Sequence, residues 1–236
     1  MEYSPRDKRE VSAALHTVLA RYRHDGPGPD GAYMQDVISD LEEILLDIES
    51  NSTPSTTGPT ARSVKKHSSG KPQLIGMSGF ARSGKDTASE YLKDIHGYDM
   101  RAIATPLKNI LPKVDAYVAH MVDDYGWEKA KERMKVREGL QRLGATLREE
   151  FGQDFLPLIA MGKITKDTLL VVSDIRTHRE VEIIREHGGL VVRVERPGVG
   201  PANADVTEAV VDYDYLVENN GTLEELYFEI EKIIYS

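Results

Sequence analysis

The sequence predicts an α/β fold: a doubly wound parallel sheet of about five strands with helices on both faces, plus an N-terminal helical hairpin. Strand-like and helix-like segments alternate from residue 73 to the end of the chain. Several strand candidates, such as LLVV and LVV, are apolar throughout. Such runs are typical of parallel strands that helices cover on both faces. One strand also leads through a glycine-bearing loop directly into a helix.

Hydrophobic periodicity places the individual elements. The predicted strands are Leu74–Ser78, Met100–Ala104, Leu169–Ser173, Leu190–Val194 and Tyr215–Val217. The predicted helices are Thr87–Asp94, Pro106–Val122, Glu128–Phe151, Arg179–His187 and Leu223–Ile234. Because open parallel sheets bind ligands at the carboxyl ends of their strands, we expect the functional site at that edge.

Composition divides the chain into three parts. Residues 1–50 carry two amphipathic helical patterns separated by HDGPGPDGA, which predicts a helical hairpin. Its role stays open between docking on the main domain, self-association as a homodimer and binding of a partner. Residues 51–72 are rich in Ser, Thr, Pro and Gly, which predicts a flexible linker. Residues 73–236 form the predicted main domain.

Composition also excludes several classes of protein. The chain of 236 residues has no cysteine, so disulfides and cysteine-based zinc sites are excluded. It has neither the hydrophobic core of a signal peptide nor an apolar run of the ~20 residues that a membrane helix needs. We therefore expect a cytoplasmic protein without a membrane partner. The net charge of −9 argues against nucleic acid as a partner, although a DNA-binding adaptor with a basic linker is an alternative.

The most informative segment is Leu74–Thr87, with the sequence LIGMSGFARSGKDT. It combines a strand, a glycine-bearing loop and a helix start, and the backbone N–H groups of such a loop bind nucleotide phosphates. Gly79 and Gly84 allow close approach of the backbone. Lys85 supplies a full positive charge for the β- and γ-phosphates. We therefore expect a P-loop NTPase-type sheet with a phosphate site here, rather than a merely structural turn.

The residue after the lysine departs from the usual motif. Phosphate loops commonly place a Ser or Thr there as a magnesium ligand, whereas this chain has Asp86 followed by Thr87. The spacing GK-x-T is typical of small-molecule kinases rather than of GTPases or motor ATPases. Asp86 either binds Mg²⁺, directly or through water, or merely complements the positive end of the helix dipole.

A second strand also ends in a charged side chain. The apolar run Leu169–Ser173 is followed by Asp174, and Arg176 comes two residues later. In nucleotide-binding sheets this position holds a Walker B acid that orients Mg²⁺ or its water ligands. The alternative is a simple loop ion pair, which contributes little when exposed.

Arginines are numerous in this half of the chain, as phosphoryl transfer requires. Arg137 and Gln141 are four residues apart and share one face of a predicted helix. That face either holds an acceptor phosphate and a base or sugar, or is simply solvated. Arg142 and Arg193 are expected to be surface residues.

Taken together, the motifs resemble a known family. In order and spacing, residues 73–236 resemble the deoxynucleoside monophosphate kinases of bacteriophages, within the P-loop NMP kinase group. The first 72 residues lie outside the resemblance. The matching segments are SGFARSGKDTASEYL at 78–92, ATPLKNIL at 104–111, REGLQRLGATLREEFGQDF at 137–155, VVSDIRTHREVEIIREHGGLVVRVERPG at 171–198, VTEAV at 206–210 and VENNGTLEELYFEI at 217–230.

The resemblance implies a reaction and its participants. ATP would donate its γ-phosphoryl group to a deoxynucleoside monophosphate with the help of Mg²⁺, giving a diphosphate and ADP. The location would be the host bacterial cytoplasm if the chain is encoded by a phage. Residues 73–236 would then be a kinase domain.

The resemblance also assigns roles to single residues. The ATP-phosphate loop comprises Gly79, Arg82, Ser83, Gly84, Lys85, Asp86 and Thr87. The further positions are Lys108, Arg137 and Gln141 on the acceptor side, Asp174 and Arg176 at the Walker B-like strand end, Arg196 near the lid, and Asn219, Asn220 and Gly221 beside the donor adenine. The expected catalytic set is Lys85, Arg137, Asp174 and Arg176. The candidate Mg²⁺ ligands are Asp86, Thr87 and Asp174.

Two local features qualify the resemblance. Asp205 stands where family members often carry His before the Thr-Glu pair, so no lid contact is assigned to that segment. Thr222 and Glu225 have the spacing of a capping box at the start of the last helix.

Two other functions stay open from the sequence. One is a kinase of another phosphorylated metabolite, such as phosphomevalonate or dephospho-coenzyme A. The other is a regulator that binds ATP without transferring phosphate and uses the hairpin as its effector. The base that the acceptor carries is not specified.

Overall fold

The computed structural model describes residues 64–162, 164–200 and 212–236. The predicted hairpin, most of the predicted linker and the segment around Asp205 lie outside these residues. The described residues fall into two compact units. Residues 104–162 form the helical unit, and residues 64–103, 164–200 and 212–236 form the sheet unit.

The sheet unit contains a five-stranded sheet in which every neighbouring pair is parallel. Its strands in chain order are β1 (Leu74–Ser78), β2 (Asp99–Ala102), β3 (Leu170–Ile175), β4 (Leu190–Glu195) and β5 (Tyr215–Glu218). Their order across the sheet is β2-β3-β1-β4-β5. The predicted α/β class with a five-stranded parallel sheet is confirmed, and the apolar strand β1 is central and buried along its whole length.

The described helices belong to both units. In chain order they are α1 (Lys85–His96), α2 (Thr105–Val114), α3 (Ala116–Ala130), α4 (Met134–Phe151), α5 (Phe155–Met161), α6 (His178–Glu186) and α7 (Leu223–Ile234). The sheet unit contains α1, α6 and α7. Within the described part of the chain, no helix is long and apolar enough to cross a membrane.

Helices cover both faces of the sheet. On one face, apolar side chains of α1 and α7, such as Leu92 and Ile230, form a core with Met77 and Val192 of the strands. On the other face α6 packs closely on β1, because a Cβ atom added to Gly76 would lie 3.3 Å from Cγ1 of Ile184. The carboxyl ends of the strands are therefore held between fixed helices.

The helical unit differs from its prediction in two places. The single helix expected over Pro106–Val122 is wrong, since the backbone is extended at Asp115, with φ −133° and ψ 104°. The Asp115 carboxylate accepts hydrogen bonds from the N–H groups of Tyr117 and Val118, at 3.0 and 3.1 Å, and so caps α3. Because this short side chain binds backbone N–H groups as an N-cap, α2 ends here and a new helix begins.

The second expected helix, Glu128–Phe151, is also interrupted. The chain turns through residues 131–133 between the end of α3 and the start of α4. The prediction also missed α5, whose sequence FLPLIAM is apolar throughout and has no helical period. Burial on all sides removes the polar stripe from which a helix is predicted.

Two glycines allow α2 and α4 to pack closely. A Cβ atom at Gly139 would lie 3.2 Å from Cδ2 of Leu111, and one at Gly144 would lie 3.1 Å from Cδ1 of Leu107. Both leucines are buried. The glycines of α4 therefore serve close contact between two helices of this unit.

Asp115→Ala should destabilise the helical unit, because it leaves two N–H groups at the start of α3 without their acceptor. Loss of such a cap costs about 1 kcal/mol of unfolding free energy. Urea unfolding followed by circular dichroism measures the effect. Asp115→Asn is the matched control, since its amide oxygen still accepts these bonds and most of the stability should remain. Equal stability of all three chains would contradict the capping role.

Candidate active site

The loop between β1 and α1, residues 79–84, is called the phosphate loop here. It lies at the carboxyl end of the central strand. Gly79 has φ 140° and Gly84 has φ 103°, in the left-handed region that favours glycine. A Cβ atom at Gly79 would overlap the carbonyl oxygen of Val194 on β4. Both glycines predicted to bring the backbone close are therefore required by the fold.

The first turn of α1 presents N–H groups at this edge that have no partner within the helix. The four initial N–H groups of a helix have no intrahelical partner, and the helix dipole makes this end positive. Within the loop, the Ser83 N–H donates to the Phe80 carbonyl at 3.1 Å. The hydroxyl oxygens of Ser78 and Ser83 are buried and have no hydrogen-bond partner among the described residues. Since buried polar groups are nearly always paired, this loop is suited to an anionic ligand.

Lys85, the first residue of α1, is buried, with only 6% of the residue exposed. Its Nζ lies 3.3 Å from Oδ1 of Asp174 and 3.5 Å from Oδ2 of Asp86. Oδ2 of Asp174 accepts a hydrogen bond from Nη2 of Arg176 at 3.1 Å. The structure thus brings together the lysine and the acidic strand end that the sequence singled out separately.

A β-bulge aims Asp174 at the lysine. Gly76 pairs with Val172 and Ser78 with Ile175, so β3 contains one more residue than β1 between these pairs. Asp174 has φ 69°, an uncommon value outside glycine that Asp tolerates better than most residues. The predicted end of this strand at Ser173 is therefore wrong. The strand continues to Ile175, and the bulge reorients one side chain within it.

The environment of Asp174 favours its ionised form. Burial alone raises the pKa of the carboxyl group, but the charges of Arg176 and Lys85 and their hydrogen bonds outweigh it. The pKa of Asp174 lies below its ordinary value. The group therefore remains a carboxylate over the whole neutral range.

A buried carboxylate fixes the turn that follows Asp174. Oε2 of Glu180 accepts hydrogen bonds from the N–H groups of Arg176 at 2.8 Å and Thr177 at 3.0 Å. The Thr177 hydroxyl accepts in return from the N–H of Glu180 at 3.2 Å, completing a capping box at the start of α6. Sequence reasoning missed Glu180, although the spacing T-x-x-E was available as a signal.

A cleft of about 320 Å³ lies beside the phosphate loop. Six of the residues predicted for the donor nucleotide line it. Part of the loop that follows β5 also contributes to its lining. Its lining residues are Arg82, Gly84, Asp86, Thr87, Arg196, Asn219, Gly221, Thr222, Leu223 and Leu226. Asn220 instead lines a neighbouring cleft of about 510 Å³, together with Leu216, Glu218, Asn219, Gly221, Glu225, Leu226 and Glu229. The capping box predicted for Thr222 and Glu225 is confirmed.

The expectation that Arg193 is a surface residue is wrong, because it is only 2% exposed. Its Nε lies 2.5 Å from Oε1 of Glu195, and its guanidinium lies 5.2 Å from the ring centroid of Phe80 in the phosphate loop. Arg193 pairs with Ser78 across β4 and β1, which places it beside the start of the loop. A lone arginine in the apolar run LVVRVE was the available signal. Arg142, by contrast, is exposed as expected.

The residues predicted for the acceptor side belong to the helical unit, except for Arg176. Lys108 is half-buried on α2, and its Nζ lies 6.0 Å from the ring centroid of Trp127. Arg137 and Gln141 are both exposed on α4, one turn apart. They therefore share a solvent-accessible face of that helix.

The oxygen donors near Lys85 fit a magnesium ion that is bound together with a phosphate. Among the described residues, no group of three or more acidic or histidine side chains could hold a metal alone. Mg²⁺ is commonly held by one or two carboxylates, with phosphate oxygens and water completing its shell. Asp86 and Asp174 both reach the same ammonium group, and Thr87 directly follows Asp86 in the sequence.

The chain matches a family model and several known proteins. The model described as deoxynucleotide monophosphate kinase matches residues 114–230. A putative deoxynucleotide monophosphate kinase of Acanthamoeba polyphaga mimivirus is 28% identical over 182 residues, which cover 66% of this chain and 93% of that protein. The deoxynucleotide monophosphate kinase of Escherichia phage RB69 is 40% identical over 67 residues, covering 27% of this chain and 28% of the phage protein.

Two further similarities are weaker or shorter. The deoxynucleotide monophosphate kinase of Enterobacteria phage T4 is 34% identical over 67 residues, again 28% of its length. The solved structure of TT1252 from Thermus thermophilus is 17% identical, with a TM-score of 0.36, over 69% of this chain and 96% of that one. A structural similarity at this level bears on neither fold nor function.

The lowered pKa of Asp174 predicts a specific acid sensitivity. The unfolded chain takes up a proton at this position near pH 3.9, whereas the folded chain resists it to lower pH. The stabilisation is therefore complete above about pH 4 and is lost as the pH falls through the folded pKa. In urea unfolding between about pH 5 and 3, the unfolding free energy of the wild type should fall more steeply than that of Asp174→Asn.

The matched control for this experiment is Asp94→Asn, which removes an exposed carboxylate from α1 in the same unit. It separates the loss of one negative charge from the loss of the ion pairs at Asp174. Parallel pH profiles for wild type and Asp174→Asn would contradict the assignment.

Proposed function

We propose that this chain, which resembles deoxynucleotide monophosphate kinases over residues 114–230 and over 66% of its length in the mimivirus protein, transfers the γ-phosphoryl group of ATP to a deoxynucleoside 5′-monophosphate. The products are the deoxynucleoside diphosphate and ADP. The observation that carries the proposal is the position of Lys85. A buried ammonium at the first residue of α1, paired with Asp174 of the neighbouring strand, supports phosphate binding at the carboxyl edge of the sheet.

The proposed donor site is the cleft beside the phosphate loop. The N–H groups at the start of α1 donate to the phosphate oxygens, and Lys85 neutralises the terminal phosphates. Arg82 and Arg196 line the same cleft and add positive charge in a planar form that binds phosphate oxygens in pairs. Asn220 and Gly221 flank the adenine in this proposal.

The proposed acceptor residues are those that the family resemblance assigns. Arg137 and Arg176 hold the acceptor phosphate, Gln141 hydrogen-bonds its base or sugar, and Lys108 lies at the beginning of the acceptor segment. The acceptor phosphate already carries negative charge, so transfer requires no strong general base. Alignment of the two substrates and neutralisation of charge supply the catalysis.

The chain's own residues also determine how charge is arranged before transfer. Asp174 holds the Lys85 ammonium in place and also pairs with Arg176, and the ionised state of Asp174 preserves this arrangement at neutral pH. In the proposal Asp86, Thr87 and Asp174 hold Mg²⁺ directly or through water. When bound, the ion neutralises charge on the transferred phosphoryl group.

Lys85→Ala should abolish phosphoryl transfer, because it removes the charge at the terminal phosphates together with the ion pair to Asp174. The fold should stay intact, because the apolar core of the sheet unit is unchanged. Coupled detection of ADP measures the loss, and circular dichroism tests the fold. Lys93→Ala is the matched control, since Lys93 is an exposed lysine in the last turn of the same helix. Wild-type turnover by Lys85→Ala would refute the proposed role.

The acceptor should be a deoxynucleoside monophosphate. We expect ADP release with at least one of the common dNMPs, measured in a coupled assay beside the ribonucleoside monophosphates. Phosphomevalonate and dephospho-coenzyme A complete the panel, and turnover with either alone would assign a different metabolite kinase. ATP binding without transfer to any acceptor would favour the regulator.

A further inference from the structure

Asn219 joins the loop after β5 to the phosphate loop. Its backbone N–H donates to the carbonyl of Glu195 at 2.7 Å, which extends the pairing of β4 and β5 by one residue. Its side-chain Nδ2 donates to the carbonyl of Ser83 at 2.8 Å. The backbone bond holds the main chain of Asn219 at the end of β5. Its side chain therefore reaches the phosphate loop from a fixed position.

The bond to Ser83 fixes the orientation of one peptide group. The peptide between Ser83 and Gly84 is trans, and the carbonyl and N–H of a planar trans peptide point to opposite sides. While Asn219 holds the Ser83 carbonyl, the Gly84 N–H must therefore point away from Asn219. Within the described part of the chain, that N–H has no protein partner.

Packing against Gly84 reinforces this orientation. A Cβ atom at Gly84 would overlap Nδ2 of Asn219, and Gly84 has φ 103°. The flexibility of a glycine would otherwise let the peptide rotate at low cost. Asn219 thus occupies the space beside the glycine and binds the carbonyl that would move.

We infer that Asn219 is a positioning residue that holds the Ser83–Gly84 peptide so that the Gly84 N–H faces the phosphates of the donor. The inference rests on the proposed function for the identity of the donor. It differs from the expectation that residues 219–221 contact the adenine, because it assigns Asn219 to the triphosphate instead of the base. The two roles separate with a ligand that has phosphates and no base.

The experiment measures dissociation constants of magnesium tripolyphosphate and magnesium ATP by isothermal titration calorimetry. Asn219→Ala should weaken both ligands about tenfold, which corresponds to 1.4 kcal/mol and to the loss of one well-formed hydrogen bond. Asn219→Asp keeps the size of the side chain but cannot donate to the Ser83 carbonyl, so it should weaken both at least as much. Loss of ATP binding with unchanged tripolyphosphate binding would assign Asn219 to the base and overturn the inference.

A merely structural role has a different signature. Urea unfolding is measured on the same variants, and Lys232→Ala, an exposed change at the far end of α7, is the matched control. In steady-state assays the positioning role raises the KM for ATP and leaves the KM for the acceptor unchanged. A lowered unfolding midpoint with wild-type tripolyphosphate affinity would overturn the inference.

Failure of the proposed function is distinguishable from failure of this inference. If the wild type binds tripolyphosphate in an Asn219-dependent way but phosphorylates no acceptor, the proposed function fails and the inference holds. If the wild type phosphorylates a dNMP and Asn219→Ala binds tripolyphosphate as the wild type does, only the inference fails.

Discussion

The ion pair between Lys85 and Asp174 is the interaction on which the rest of the site depends. A buried ammonium at the positive end of a helix is unfavourable unless a negative charge compensates it. The bulge in β3 supplies that charge from the neighbouring strand, and Glu180 fixes the turn that carries Arg176 to the same carboxylate. Lys85 can therefore stay buried because two backbone features, the bulge and the turn, place the Asp174 carboxylate and its partner Arg176.

The sheet and the phosphate loop were predictable because both depend on local sequence. Apolar strands buried on both faces leave a clear pattern, and the glycines of the loop are required by backbone conformation. The break at Asp115 was missed because a capping side chain can end a helix whose periodicity continues. The helix α5 was missed because complete burial leaves no helical periodicity in its sequence. The bulge at Asp174 depends on the neighbouring strand β1, which no local pattern reveals. The burial of Arg193 was missed although the apolar run around it was a local signal.

The residues proposed for the two substrates lie mainly on different units. The donor residues lie on the sheet unit, at strand ends held between packed helices. Lys108, Arg137 and Gln141 lie on the helical unit, whose helices α2 and α4 are brought together through glycines. The residues proposed for the donor and Arg176 are thus positioned by a parallel sheet, and the other residues proposed for the acceptor by a close pair of helices.

The contact between Lys108 and Trp127 makes the tryptophan fluorescence of this chain informative. Trp127 is the only tryptophan in the sequence, and the ammonium of Lys108 lies over its ring. Indole emission is sensitive to a nearby charge, so the fluorescence of the unlabelled chain reports on a single place. That place adjoins a lysine proposed for the acceptor side, and the protein therefore carries its own optical sensor there.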